Sequence, residues 1–362
     1  MHLDRHLKKK QLTTKRYDRT IMRYRDDSIR EEKMKLVFGA LAALSLVASP
    51  AMSKTVLKVS SYLPPKHTFT RAVEAWGKTL EEKTNGELSV QVFPAGQLGP
   101  VNRQFDLVAS GAADAAIILN SATPGRFPLT TLAGLPLSYP SAGNKSEITS
   151  RRLTELAPEY LSGEYPGMKI LWMAVTPPLK INIKGREPSD LAALKGLRIR
   201  YAGEVFQQVL DKLGASPLPV PPAETSEALA KGIVDGATFP FEALQAFDLG
   251  PELNYSLEPG VASATFAFVM NQKTFDALTP EEQKAINETT GPDQAQAYGA
   301  SWDQSEAKGK EYLEKNGVKI VTLSEDEQKK FHELVQPIVE AQIKAAAKNG
   351  APAQAFYDAY TK

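Results

Sequence analysis

Short apolar runs with strand-like patterning alternate along the chain with stretches whose apolar positions recur at helical spacing. Thr55-Val-Leu-Lys-Val-Ser60 predicts a strand that ends before Pro64-Pro65. From Thr68 to Thr84, Phe69, Val73, Trp76 and Leu80 share one helical face. Asn85-Gly86 is a turn into Leu88-Ser-Val-Gln-Val-Phe93. Pro100 to Ser110 predicts a helix, and Asp114-Ala-Ala-Ile-Ile-Leu119 a buried strand ending at Asn120-Ser121. This β-α-β-α-β order predicts one sheet, with strand ends near Ser60–Tyr62, Phe93–Pro94 and Asn120–Ser121 at its carboxyl edge, where open α/β sheets gather ligands.

The alternation resumes near Lys169. Ile170 to Val175 is an apolar strand broken by Pro177-Pro178, and Leu179-Lys-Ile-Asn-Ile-Lys184 alternates as a strand should. Helix Ser189–Leu194, strand Leu197–Tyr201, helix Glu204–Leu213, strand Ser216–Val220, helix Ala223–Lys231 and strand Ala237–Phe239 follow, a second α/β lobe. Ala264 to Met270 predicts a strand able to return the chain to the first lobe. Thr279-Pro-Glu-Glu282 and Ser324-Glu-Asp-Glu327 have capping-box spacing, the first with Pro at the opening helical position. Between Pro292 and Asn316 the pattern predicts a long polar helix, carrying Trp302 and Tyr312, that runs between lobes.

Charge separates a leader from the body. Residues 1–53 hold 12 Lys/Arg and 6 Asp/Glu, and residues 54–362 hold 31 and 36, so a net charge of +1 hides a mildly acidic body. That body has no basic run, which argues against nucleic-acid binding. Met34-Lys35, the apolar run Leu36–Ala48 and Ala51-Met52-Ser53 have the layout of a cleaved secretory signal peptide, residues 34–53. Residues 1–33 are expected to be an upstream-start or tag-like extension, and the mature chain to be periplasmic from near Lys54. The 362 residues contain no cysteine, which excludes disulfides, thiolate metal sites and a Cys nucleophile.

Catalytic constellations are missing from the sequence. The mature chain has two histidines, His67 and His332, and no nucleophile elbow, His-Glu-x-x-His or phosphate-cradling motif. No cofactor is expected, and no Asp/Asn cluster has calcium-loop spacing. The chemistry rests on Gly196-Leu-Arg-Ile-Arg200, where alternation sends Arg198 and Arg200 to one face of a strand. A guanidinium matches a carboxylate through two parallel hydrogen bonds, so a fixed Arg at a strand end suggests a receptor for an organic acid. Two solvated surface arginines are the alternative.

Six segments in order sharpen this reading: Asn85-Gly86 before Val92-Phe-Pro-Ala-Gly-Gln-Leu-Gly99, Gly134-Leu-Pro-Leu137, Asp190-Leu191 with Lys195-Gly-Leu-Arg-Ile-Arg200, Gly214-Ala-Ser-Pro217 and Gly232-Ile-Val-Asp-Gly236. From Thr55 to Tyr360 the chain resembles the periplasmic substrate-binding proteins of TRAP transporters, the DctP-type family. The resemblance implies a two-lobe α/β fold around a cleft, with crossing strands and a long connecting helix, and no enzyme activity. It places lobe I at 54–177 plus 265–304 and lobe II at 178–264 plus 305–362.

It further implies that Arg200 clamps a substrate carboxylate and that Lys180 stands where many members have a second Arg. Asn120 and Thr123 replace a Glu and an Arg of acidic-sugar receptors. Phe239, followed by Pro240-Phe241-Glu242, replaces an Asn and suits an apolar ligand body. Tyr62, His67 and Ser121 fall where the first lobe meets ligand. The implied partners are a small organic acid, with a monocarboxylate bearing an apolar or aromatic body ahead of a dicarboxylate, and the membrane subunits of a TRAP permease driven by an ion gradient. A receptor feeding a sensor kinase and a secreted enzyme are the competing readings.

Overall fold

A computed structural model describes residues 54–362. The expected signal peptide and the extension before it lie outside the described residues. Two sheets organise the remainder. The first has the order β2-β1-β3-β10-β4, built from β1 (Thr55–Ser60), β2 (Leu88–Phe93), β3 (Ala115–Leu119), β4 (Met168–Val175) and β10 (Thr265–Asn271). The second has the order β11-β9-β5-β8-β6-β7, built from β5 (Leu179–Ile183), β6 (Arg198–Tyr201), β7 (Ser216–Pro219), β8 (Gly236–Phe239), β9 (Tyr255–Ala262) and β11 (Lys319–Thr322). β1, β2 and β3 are parallel, while β10 enters antiparallel between β3 and β4. Every residue of β3, β5, β8 and β10 is buried, as expected of inner strands covered on both faces.

The chain passes between the sheets on paired strands. β4 leads through Thr176-Pro177-Pro178 into β5, and β9 leads through Ser263-Ala264 into β10. Their registers meet at the crossing, with Val175 opposite Thr265 and Leu179 opposite Ala262. The Thr176 amide donates to the Ala264 carbonyl at 2.9 Å, and the Ala264 amide donates to Thr176 Oγ1 at 2.9 Å. The prolines that break the strand pattern therefore mark a crossover whose polar backbone groups remain paired.

Helix Pro292–Lys315 is the third link. It packs against helix Ser146–Leu156 beside the first sheet and helix Phe241–Ala246 beside the second. Two glycines permit these contacts. A Cβ on Gly299 would meet the Ser146 carbonyl oxygen at 2.4 Å, and one on Gly309 would meet the Phe241 carbonyl oxygen at 2.4 Å.

Helix Thr68–Lys83 buries Phe69, Val73, Trp76 and Leu80 as its apolar spacing requires. The Thr279 capping box forms with both of its hydrogen bonds. At the other capping-box spacing, Ser324 accepts from the Glu327 amide. Helix Ala353–Thr361 buries Phe356 and Tyr360 and packs against helices Ser146–Leu156 and Pro128–Leu132, in one cluster with Leu153, Leu156 and Leu161. Its alanine-rich sequence shows an apolar face but not the partner for that face.

Candidate functional site

Arg200 ends up inside the protein, 1% exposed, on the cleft wall formed by β6. Its Nε donates to the Val220 carbonyl at 2.9 Å and its Nη1 to the Thr238 carbonyl at 3.1 Å. The guanidinium lies 4.1 Å over the Phe239 ring. No described carboxylate pairs with it, and the neighbouring ionisable group that most affects it is Tyr62. Burial pulls its pKa down to about 9, which leaves it charged at neutral pH. A buried cation held by carbonyl dipoles, with no counter-ion, is a charge awaiting an anion.

Arg198 has a different fate. It is exposed and pairs with Asp235, Nη2 to Oδ1 at 2.6 Å and Nε to Oδ2 at 2.9 Å. Alternation alone could not separate the two arginines. Arg198 sits at the start of the strand beside the acidic turn into β8, whereas Arg200 sits at the inner end.

Arg200 lines two adjacent spaces. One is a cleft cavity of about 1040 Å³ lined also by Tyr62, Ser121 and residues 200–204. The other is a smaller apolar chamber walled by Leu63, Leu119, Leu179, Phe239, Phe247 and Phe266, with Tyr62, His67 and Trp302 at its edge. Burial raises the Tyr62 pKa, so its hydroxyl stays protonated beside Arg200. The arrangement offers a fixed positive charge, a phenolic O–H and an aromatic enclosure. That set can hold an anionic head on an apolar body.

His67 caps helix Thr68–Lys83, its Nδ1 accepting from the Phe69 amide at 3.1 Å. The remaining proton is thereby placed on Nε2, which faces Glu242 Oε2 at 3.5 Å. Burial holds the His67 pKa below its ordinary value, so the ring is neutral.

Asn120 and Thr123 line a neighbouring cavity of about 350 Å³ rather than the space beside Arg200. The Asn120 amide nitrogen donates to the Tyr165 hydroxyl, while its Oδ1 is buried without a partner. Ser121 borders both spaces and lies against Gly203 across the cleft mouth, where an added Cβ would come within 2.4 Å of the Ser121 Cβ.

Two residues expected at the ligand are committed elsewhere. The Lys180 ammonium pairs with Glu306 and rests 4.2 Å over the Phe241 ring, so it offers the cleft no free charge. The Glu242 carboxylate is saturated. Oε1 accepts from Thr68 N at 2.8 Å and Thr68 Oγ1 at 2.7 Å, and Oε2 accepts from Trp302 Nε1 at 3.1 Å. In both cases the partner comes from a distant segment that sequence spacing does not reveal. Trp302, Phe247 and Phe266 line the chamber from segments that spacing does not link to Arg200, the one sequence signal being an aromatic, Trp302, on the polar helix Pro292–Lys315.

The family model for bacterial extracellular solute-binding proteins of family 7, DctP, matches residues 59–345. The outer membrane transporter protein TsaT of Comamonas testosteroni is 25% identical over 335 residues, spanning 91% of this chain and 97% of that relative. Among solved structures, a TRAP solute-binding protein from a marine metagenome, specific for aromatic acid ligands and bound to metahydroxyphenylacetate, superposes with a TM-score of 0.80. It is 27% identical, covering 84% of this chain and 97% of its own. A TRAP periplasmic solute-binding protein of Bordetella bronchiseptica with bound (R)- and (S)-mandelate has a TM-score of 0.78 at 26% identity, covering 84% and 97%.

Proposed function

Because this chain belongs to the family 7 bacterial extracellular solute-binding proteins, we propose that it captures a small aromatic or apolar monocarboxylate in the periplasm and hands it to a TRAP-type permease driven by an ion gradient. The leader at residues 34–53 would deliver it there. One observation carries the reading: Arg200 is a buried cation with no carboxylate paired to it among the described residues, and it lines an aromatic chamber. A carboxylate would complete the ion pair in a space that Tyr62 also lines, and its apolar body would fill the chamber beside Phe239. The pairing of Lys180 with Glu306 removes the second free cation that a dicarboxylate would require. The relatives that bind aromatic acids and mandelate support the same class.

Arg200→Ala should weaken binding of benzoate or mandelate by about 3–5 kcal/mol, because it strands a desolvated carboxylate. Isothermal titration calorimetry measures this, and unchanged affinity would remove Arg200 from the site. A thermal-shift screen should favour aryl monocarboxylates over sugar acids, a ligand at 100 times its dissociation constant adding about 2.7 kcal/mol of stability.

A further inference from the structure

Glu242 is a buried carboxylate that reaches from the second lobe into the first. It stands on helix Phe241–Ala246, directly after β8 and the Phe239-Pro240 wall of the chamber. Its Oε1 takes the amide and hydroxyl of Thr68 at the start of helix Thr68–Lys83, at 2.8 and 2.7 Å. That helix has no acidic residue in its own first turn, so the negative group favoured at its positive end comes from the other lobe. Oε2 accepts from the Trp302 indole at 3.1 Å and faces His67 Nε2 at 3.5 Å. Both rings border the chamber. The Glu242 amide donates to Glu306 Oε2 at 2.9 Å, which ties the same residue to the Lys180 pair.

We propose that Glu242 is a positioning residue: it clasps the two lobes behind the chamber and fixes the His67 and Trp302 rings against which the ligand body rests, without touching the ligand. One carboxylate joins the first lobe, the second lobe and the connecting helix, so lobe angle and chamber shape are set together. Its ring-fixing role rests on the ligand site proposed above, whereas its clasp does not. A ligand that needs the rings in place is thereby coupled to the lobe angle, a coupling that typically changes affinity by 5- to 150-fold.

The test uses the absence of cysteine from the chain. Ser110→Cys and Lys231→Cys, both at exposed positions, one on each lobe, place a pair of spin labels for distance measurement. In the unliganded protein, Glu242→Gln should shift or broaden the inter-lobe distance distribution, and it should weaken benzoate or mandelate binding about tenfold or more. Trp302→Phe removes the indole N–H that Glu242 accepts together with part of the ring at the chamber, but leaves both Thr68 bonds to Glu242 in place, and should weaken binding less. It keeps the test open should Glu242→Gln fail to fold. Combining Glu242→Gln with Thr68→Val should be non-additive in affinity. If Glu242→Gln melts lower but keeps the parental distance distribution and affinity, the positioning role is overturned and a purely structural one remains. If neither acid binds the parent protein, the proposed ligand class fails while the distances still decide the clasp.

Discussion

Arg200 and His67 are buried bases with opposite protonation states, and each state has a measurable consequence. Arg200 keeps its charge with no carboxylate paired to it among the described residues, and burying such a charge disfavours the folded state. Arg200→Met should therefore melt no lower than the parent in the absence of ligand while losing ligand-induced stabilisation, a pair of results that differential scanning calorimetry reads directly. His67 is neutral because burial disfavours its charged form. In the unfolded chain it would take up a proton near its ordinary pKa of about 6.5, so below that pH the unfolded state binds more protons and stability falls. The melting temperature should drop as pH is lowered from about 7 to 5, and His67→Asn, which keeps a capping side chain, should flatten that slope. Strand alternation did not separate the two arginines, and only the family resemblance singled out Arg200; nothing in the sequence pairs His67 with its partner. Arg198 and Arg200 differ by the presence of Asp235 next to one of them, and His67 is defined by Glu242, 175 positions away.

Elements were far more legible than side-chain partners. β1 and β2 end where their alternating runs end, and helix Thr68–Lys83 follows its apolar stripe, because local sterics and burial periodicity act over a few residues. The pattern predicts single helices over Pro100–Ser110 and Ser189–Leu194, but the first opens with a 3₁₀ turn, Val101–Arg103, before helix Gln104–Ala109, and the second is a 3₁₀ turn alone, Leu191–Leu194. β9 escaped notice because Glu258-Pro-Gly260 interrupts its apolar pattern, and β11 because it has only four residues. The pair Lys180–Glu306 joins β5 to helix Pro292–Lys315, and neither element shows this in its own periodicity. Lys180→Met should leave Glu306 largely buried and unpaired, costing about 3–5 kcal/mol in urea unfolding with little change in ligand affinity. Adding Glu306→Gln to that variant should recover part of the loss, since the uncompensated charge is gone.

At the scale of the whole molecule, the cleft mouth narrows where Ser121 meets Gly203. Gly203 has φ +100°, which an L side chain rarely adopts, and a Cβ there would collide with Ser121. Gly203→Ala should hold the lips apart, raising the dissociation constant about tenfold, mainly through faster release. Stopped-flow measurement of the off-rate checks this. The two-lobe plan could be read from the order of elements, but the packing of helix Ala353–Thr361 on the first lobe could not, since a docking partner is a property of the assembled surface. Helix Pro292–Lys315 meets one lobe at Gly299 and the other at Gly309. At about 1.5 Å per residue these anchorages stand roughly 15 Å apart. The helix is thus a beam gripped at two points, and any swing of one lobe against the other loads the span between them. Trp302 and Glu306 project from that span. Bending of the beam and filling of the chamber are then two readings of one strain gauge.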